Sequence, residues 1–156
     1  MAQTLAAGLC LLACGLSQAA PPAVPGELAT RETRYIASQF AGRLAGSDRD
    51  FAASEYLYLQ LASLGYHTTF QAFDTDYQYV FANNVRQKRL LSTRNVVAVK
   101  PGRSGKMIVI GAHLDTATTL HEVHEGVFGG PELQGLDDNA SGLGVLLELA
   151  QQLAGV

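Results

Sequence analysis

His113 and Asp115 are the first residues of the chain whose types and spacing could support metal chemistry. In an extended segment, side chains two residues apart leave the backbone on the same side. Asp115 could therefore accept a hydrogen bond from one imidazole nitrogen of His113 while the other nitrogen binds a metal ion. Taken alone, the pair is better explained as a histidine at a strand end whose ring is satisfied by a neighbouring carboxylate.

Asp137 and Asp138 are adjacent carboxylates at the start of a predicted helix. Asp138 or Asn139 could cap this helix, and negative charge is favourable near a helix N-terminus. Capping does not require both aspartates, and adjacent like charges repel unless a cation or hydrogen bonds hold them. Gly142 and Gly144 lower the stability of the helix, which indicates close approach of another backbone.

Two amphipathic helices are predicted upstream of these residues. Apolar residues recur at helical spacing from Tyr35 to Leu44, and this pattern stops at Gly46. Ser47 and Asp50 have the capping-box spacing that starts a second helix, which Gly65 should end. The apolar stripes of both helices are interpreted as core packing.

Strands should carry the chain from these helices to the candidate residues. Alternation from Tyr66 to Phe73 predicts a half-buried strand, whereas the pattern from Tyr77 to Leu91 is interrupted by polar and basic residues. Asn95–Val99 and Met107–Ile110 are predicted as buried strands. Their connection is too short for a parallel crossover, so we expect an antiparallel hairpin. The helix from about Asn139 to Leu153 should then return across the sheet.

The N-terminus is predicted to be an export signal. An apolar run extends from Leu5 to Leu16, is followed by small residues, and is short for a membrane-spanning helix. Cleavage after Ala19 gives a signal peptide of residues 1–19 and a proline-rich linker of residues 20–30. Residues 31–156 then form the folded domain.

The two cysteines, Cys10 and Cys14, lie inside the predicted signal, so the mature domain has no disulfide. A competing interpretation makes Cys14 a lipidated N-terminus that anchors the protein to a membrane. The expected location is therefore the periplasm or the exterior, with a membrane-anchored lipoprotein as the alternative.

Length and composition fit a single globular domain. The chain has 156 residues, of which 47% are apolar, enough for one core. Its net charge of -3, with basic residues scattered among acidic ones, gives no electrostatic footprint for nucleic acid. Nucleic acid is therefore excluded as an expected partner.

Three segments together resemble the N-terminal half of the co-catalytic di-zinc exopeptidases, metallopeptidase family twenty-eight. They read NVVAVKPG, IVIGAHLDT and GLDDNASGLGVLLELAQQL, and the resemblance covers roughly Thr33 to Leu153. The family contains bacterial leucyl-type aminopeptidases, glutamate carboxypeptidase II and glutaminyl cyclases. The resemblance implies an α/β fold in which helices flank a mixed central sheet and the metal site lies at the strand ends.

The resemblance also implies roles for individual residues. His113 would be a ligand of one of two zinc ions, Asp115 would be the catalytic-site residue that orients His113, and Asp137 would bridge both zincs. The peptide bond between Asp137 and Asp138 would be cis, and Asp138 would be left for local hydrogen bonding. The family pattern continues with a Glu-Glu pair, an aspartate and a histidine that are absent here. We therefore expect an N-terminal portion of a longer hydrolase, inactive by itself.

The activity implied for the complete protein is hydrolysis of a terminal peptide bond, most simply removal of an N-terminal residue. Carboxypeptidase and dipeptidase action stay open. Alternatives are a glutaminyl cyclase-like acyltransferase, which usually lacks the DDNASG run, and a binding module without catalysis. A peptide is the expected partner, a membrane is one only if Cys14 is lipidated, and the oligomeric state stays open.

Two other motifs are given simpler interpretations. The loop from Thr116 to Gln134 contains HEVHE, but its histidines, His121 and His124, are three residues apart and not four as in the zinc signature His-Glu-x-x-His. We interpret it as a polar loop near the substrate. No Gly-x-Ser-x-Gly turn surrounds Ser141, which favours a serine at a helix start over a nucleophile.

Overall fold

A computed structural model describes residues 24–80, 86–116 and 135–155. The export signal, both cysteines and the HEVHE motif lie outside these ranges. No helix in the described ranges is both long and apolar enough to cross a membrane. The elements in chain order are α1 (Glu27–Gln39), α2 (Asp48–Ser63), β1 (His67–Val80), β2 (Arg86–Val99), one π-helical turn (Leu136–Ala140) and α3 (Ser141–Leu153).

Helix α1 begins at Glu27, so the last four residues of the expected linker are helical. The Glu148 carboxylate of α3 accepts hydrogen bonds from the backbone N–H groups of Gly26 (2.7 Å) and Ala29 (2.8 Å). It therefore satisfies donors that a helix start leaves unpaired. The expected helix end at Gly46 was wrong, because α1 ends at Gln39 and the chain then turns through Gly42 at a φ of 71°.

Helix α2 has the start and end that the sequence predicts. The Ser47 hydroxyl accepts a hydrogen bond from the Asp50 backbone N–H at 3.2 Å, and Gly65 follows the helix at a φ of 83°. The Asp50 carboxylate accepts from the Gly46 backbone N–H (2.8 Å) and from the Thr93 hydroxyl (2.6 Å). Through Thr93, the cap of α2 is joined to strand β2.

The described sheet is an antiparallel pair of β1 and β2, in a register that places His67 opposite Val99 and Val80 opposite Arg86. The expected pairing of Asn95–Val99 with Met107–Ile110 was wrong, because β2 pairs with β1 and residues 107–110 form no strand. Met107, Ile108 and Val109 are more than four-fifths exposed. Their apolar pattern predicts burial, but no described element covers them.

The core lies where the helices meet one another and the inner face of the sheet. Its buried members are Ile36, Ala37, Leu57, Leu61, Ala140, Leu143, Leu147 and Ala150. The predicted close approach at Gly144 is confirmed, because a Cβ there would collide with the Ala29 carbonyl and the Thr33 hydroxyl of α1. The α/β class is likewise confirmed, and α3 is fixed against α1 with its N-terminus at the candidate site.

Candidate metal centre

His113 stands between two carboxylates. Its Nδ1 lies 3.4 Å from Asp115 Oδ1 and 3.2 Å from the Asp115 backbone oxygen, while its Nε2 lies 2.8 Å from Asp138 Oδ1. The imidazole side chain is 53% exposed and that of Asp138 is 82% exposed, so the pair is open to solvent. The structure thus brings His113 and Asp115 together as the spacing predicts, and adds Asp138 on the opposite side of the ring.

Asp138, and not Asp137, is the carboxylate that reaches His113. The Asp137 side chain makes no hydrogen bond or ion pair with another described residue, and its backbone oxygen accepts from the Ser141 hydroxyl at 2.8 Å. The cis peptide bond lies between Asp138 and Asn139, so its expected position between Asp137 and Asp138 was wrong. Two adjacent aspartates differ only in the direction the backbone gives each side chain, which the sequence does not specify.

Asn139 connects the segment that carries His113 to the start of α3. Its side-chain nitrogen donates to the His113 backbone oxygen at 3.3 Å, and its side-chain oxygen accepts from the Gly142 N–H at 3.2 Å. A Cβ on Gly142 would collide with the Asn139 amide. Gly142 is therefore required by the close approach of the Asn139 side chain of the same turn. The sequence had predicted close approach of another backbone instead.

Arg43 is a functional candidate that the sequence analysis missed. It is fully buried, and its guanidinium donates from Nε to the Leu114 backbone oxygen (2.7 Å) and from Nη2 to that of Gly135 (3.0 Å). The Arg43 backbone oxygen accepts from the Thr116 N–H at 3.0 Å. A signal was present, because Arg43 is a charged residue two positions after Ala41 and next to Leu44, both of which are buried.

Burial lowers the pKa of Arg43 to about 10, and the carboxylates of Asp115, Asp138 and Asp50 partly oppose this shift. The guanidinium therefore stays protonated at neutral pH. It supplies a fixed positive charge beneath a site whose own side chains carry negative charge.

The donors present fit zinc but do not complete a zinc site. Imidazole nitrogen and carboxylate oxygen each bind zinc at about 2.0–2.2 Å, which separates two ligands of one tetrahedral ion by about 3.4 Å. The 2.8 Å between His113 Nε2 and Asp138 Oδ1 is a direct hydrogen bond, about half an ångström shorter. The described residues contain no group of three or more potential ligands from His, Cys, Asp and Glu.

Of the remaining candidates from the sequence, Ser141 is described by the structure and the histidines of the HEVHE motif are not. Ser141 is the first residue of α3 and donates to the Asp137 backbone oxygen, which confirms a serine at a helix start. His121 and His124 lie within residues 117–134, which the structure does not describe.

The fold is that of zinc exopeptidases and glutaminyl cyclases. The chain resembles a leucine aminopeptidase precursor from Bacteroides thetaiotaomicron with a TM-score of 0.59, 24% identity, and coverage of 83% of this chain and 42% of that one. It resembles a glutaminyl cyclase from Fimbriiglobus ruber with a TM-score of 0.64 and 18% identity, over 88% of this chain and 45% of that one. A Zn-dependent exopeptidase from Parabacteroides distasonis is similar with a TM-score of 0.53 and 20% identity, over 83% of this chain and 41% of that one. At these identities the likeness shows the fold alone.

Sequence comparison adds a match to a peptidase family. Residues 95–155 match Peptidase family M28, and they include His113, Asp115 and both aspartates of the turn. The predicted resemblance to the twenty-eighth metallopeptidase family is thus confirmed, for the N-terminal part of its pattern.

A curated relative extends the similarity over almost the whole chain. It is the Alkaline phosphatase isozyme conversion protein of Escherichia coli strain K12, which is 35% identical over 150 residues. The match covers 96% of this chain and 43% of the relative. The chain therefore spans less than half the length of the relative it matches.

Proposed function

We propose that the protein containing this chain is a zinc-dependent exopeptidase, and specifically an aminopeptidase that removes the N-terminal residue of a peptide. The observation that carries the proposal is the placement of His113, whose Nε2 faces Asp138 while its Nδ1 faces Asp115. The match to Peptidase family M28 and the likeness to a leucine aminopeptidase precursor support the reaction class.

In this proposal His113 and Asp138 would hold the metal, and Asp138 takes the ligand role first expected for Asp137. Asp115 accepts the Nδ1 proton of His113, which fixes the tautomer that leaves Nε2 free to bind metal. Two zinc ions would supply the hydrolytic water, because zinc lowers the pKa of a bound water from 15.7 to about 7. By the family resemblance, the remaining ligands and the glutamate that accepts the proton belong to a part of the pattern absent from this chain.

The assignment is tested by substituting the two aspartates separately in the full-length protein. We expect Asp138→Asn to abolish tight binding of at least one zinc and to lower hydrolysis of an aminoacyl amide by about a thousand-fold or more, as loss of a group central to catalysis does. Asp137→Asn is the matched control and should keep most of both. Zinc content by elemental analysis and amide hydrolysis provide the measurements. The reverse result would return the ligand role to Asp137.

A glutaminyl cyclase-like acyl transfer is the second candidate, since the fold likeness has its highest TM-score, 0.64, with an enzyme of that name. The two activities release different products from one substrate. With a peptide that begins with glutamine, an aminopeptidase releases free glutamine, whereas a cyclase releases ammonia and leaves a blocked N-terminus. Mass spectrometry of the peptide distinguishes them. Ammonia release with no shortening of the peptide would reject the aminopeptidase assignment.

The relative's name describes conversion of one isozyme of alkaline phosphatase into another. Removal of a residue from a protein terminus would produce such a change, because the trimmed form differs in charge or mass.

We also propose that the protein is exported, because an apolar run extends from Leu5 to Leu16 and is followed by small residues. Cleavage after Ala19 predicts a mature N-terminus at Ala20. Incorporation of labelled palmitate that Cys14→Ala abolishes would instead support the lipoprotein.

A further inference from the structure

We propose that Arg43 is a positioning residue of the metal centre, whose guanidinium sets the distance between the segment that carries His113 and the turn that carries Asp138. The proposal rests on the proposed function for the identity of the metal, but the contacts themselves do not depend on it. The Arg43 guanidinium donates to backbone oxygens next to the residues that bear the imidazole and the carboxylate. It acts through the backbone on which they are mounted.

The two carbonyl oxygens that Arg43 binds lie next to the site residues. Leu114, which accepts from Nε at 2.7 Å, is the residue between His113 and Asp115. Gly135, which accepts from Nη2 at 3.0 Å, comes immediately before the turn that contains Asp138. One rigid group therefore links two segments that are separated by about twenty residues of chain.

A third contact fixes Arg43 itself to the site. Its backbone oxygen accepts from the Thr116 N–H at 3.0 Å, so the segment 113–116 is held at both the side chain and the main chain of Arg43. The packing is tight, because a Cβ on Gly135 would lie 2.9 Å from Arg43 Nη2 and would collide with the Thr116 methyl group. Small displacements of the guanidinium would therefore move both segments.

The chemistry of arginine suits this role better than a role in packing alone. Arg43 is fully buried, and an apolar side chain of similar volume would fill the same space without the cost of burying a charge. The guanidinium presents several N–H donors in fixed directions, so it can hold two carbonyl groups at a set angle. Lysine offers a single ammonium group and cannot reproduce that spacing.

The test uses the full-length protein with Arg43→Lys and Arg43→Met. Arg94→Lys is the matched control. Arg94 is less deeply buried than Arg43 but likewise donates to a backbone oxygen, that of Phe51, and its hydrogen-bond partners lie on α2 and not on the site segments. Zinc affinity is measured by chelator competition. Ligand geometry is read from the visible absorption of the cobalt-substituted protein, and folding is monitored by thermal unfolding.

Both Arg43 variants should weaken zinc binding by about 10- to 100-fold, as loss of a supporting partner of a metal ligand does, and should change the cobalt spectrum. Arg94→Lys should leave affinity and spectrum unchanged. Wild-type affinity and spectrum in Arg43→Lys would overturn the proposal, since charge without the guanidinium fork would then suffice. An equal change in Arg94→Lys would also overturn it, by assigning the effect to general destabilisation.

A metal-free measurement separates this proposal from the proposed function. If the wild-type protein binds neither zinc nor cobalt, the proposed function fails, but the ring nitrogen resonances of His113 still report its contacts with Asp115 and Asp138. In that protein Arg43→Lys should shift these resonances and Arg94→Lys should not. Unchanged His113 resonances in Arg43→Lys would show that the guanidinium does not position the site.

Discussion

The helical core and the candidate metal centre are held in place by different kinds of interaction. Ile36 and Leu143 are 1% and 2% exposed, and many apolar neighbours fix each helix at once. His113 is 53% exposed, and the segment around it is held by a few polar groups that belong to other parts of the chain. Arg43 and Asn139 supply those groups.

This difference predicts two separable kinds of damage. Loss of an apolar core side chain should lower the free energy of unfolding while leaving the site intact in the molecules that remain folded. Loss of one polar group at the centre should weaken metal binding more than a substitution elsewhere that lowers the free energy of unfolding by the same amount. Pairs of matched substitutions can separate the two.

The largest stability effect is expected from truncation in the core. Leu57→Ala removes a side chain that is 5% exposed and should lower the free energy of unfolding by about 2–5 kcal/mol, from lost burial and the cavity that remains. Leu59→Ala on the same helix is the control, because Leu59 is 56% exposed. Urea denaturation of the full-length protein measures both, and zinc affinity below the unfolding transition should stay at the wild-type value. A weakened zinc site in folded Leu57→Ala would remove the separation between core and site.

Glycine substitutions provide a second comparison with an intermediate effect. Gly135 and Gly26 both have positive φ, 64° and 83°, so alanine is strained at either position by about 1 kcal/mol or somewhat more. Gly26 has open space around it, whereas a Cβ on Gly135 would meet Thr116, Arg43 and the Asp138 backbone oxygen. Gly135→Ala should therefore cost a further 1–3 kcal/mol or so from overpacking and should also weaken zinc binding.

Thermal unfolding and zinc competition distinguish these two variants. Gly26→Ala should lower the melting temperature slightly and leave zinc affinity unchanged. Equal effects of the two substitutions on both quantities would mean that backbone strain, and not the close approach of the two site segments, accounts for the glycine at position 135.

The same contrast explains what the sequence could predict. Periodic apolar residues and the Ser47 cap specify where α2 lies, because each signal is local and is repeated along the helix. The proximity of His113 and Asp115 was also predictable, since it follows from two-residue spacing in an extended segment. The α/β class and the resemblance to Peptidase family M28 followed from several motifs taken together.

Other features depend on partners that a single sequence does not identify. The apolar run Met107–Ile110 indicates burial without naming the neighbour, and β2 pairs with β1 instead. Asp137 and Asp138 have the same chemistry, and only the non-helical backbone at Asp138 decides which side chain faces His113. Arg43 reaches the site across 71 and 92 residues of chain to its two carbonyl partners, a distance over which no local pattern applies.

The smallest stability effect is expected from two side chains that bind backbone N–H groups at helix starts. Ser47→Ala removes a cap of α2 and Asn139→Ala removes the side chain that binds the Gly142 N–H at the start of α3. Each should lower the free energy of unfolding by about 1 kcal/mol. Only Asn139 also donates to the His113 backbone oxygen. Asn139→Ala should therefore weaken zinc binding while Ser47→Ala should not, as measured by chelator competition. Equal zinc affinities in the two variants would show that Arg43 alone is enough to hold the His113 segment in place.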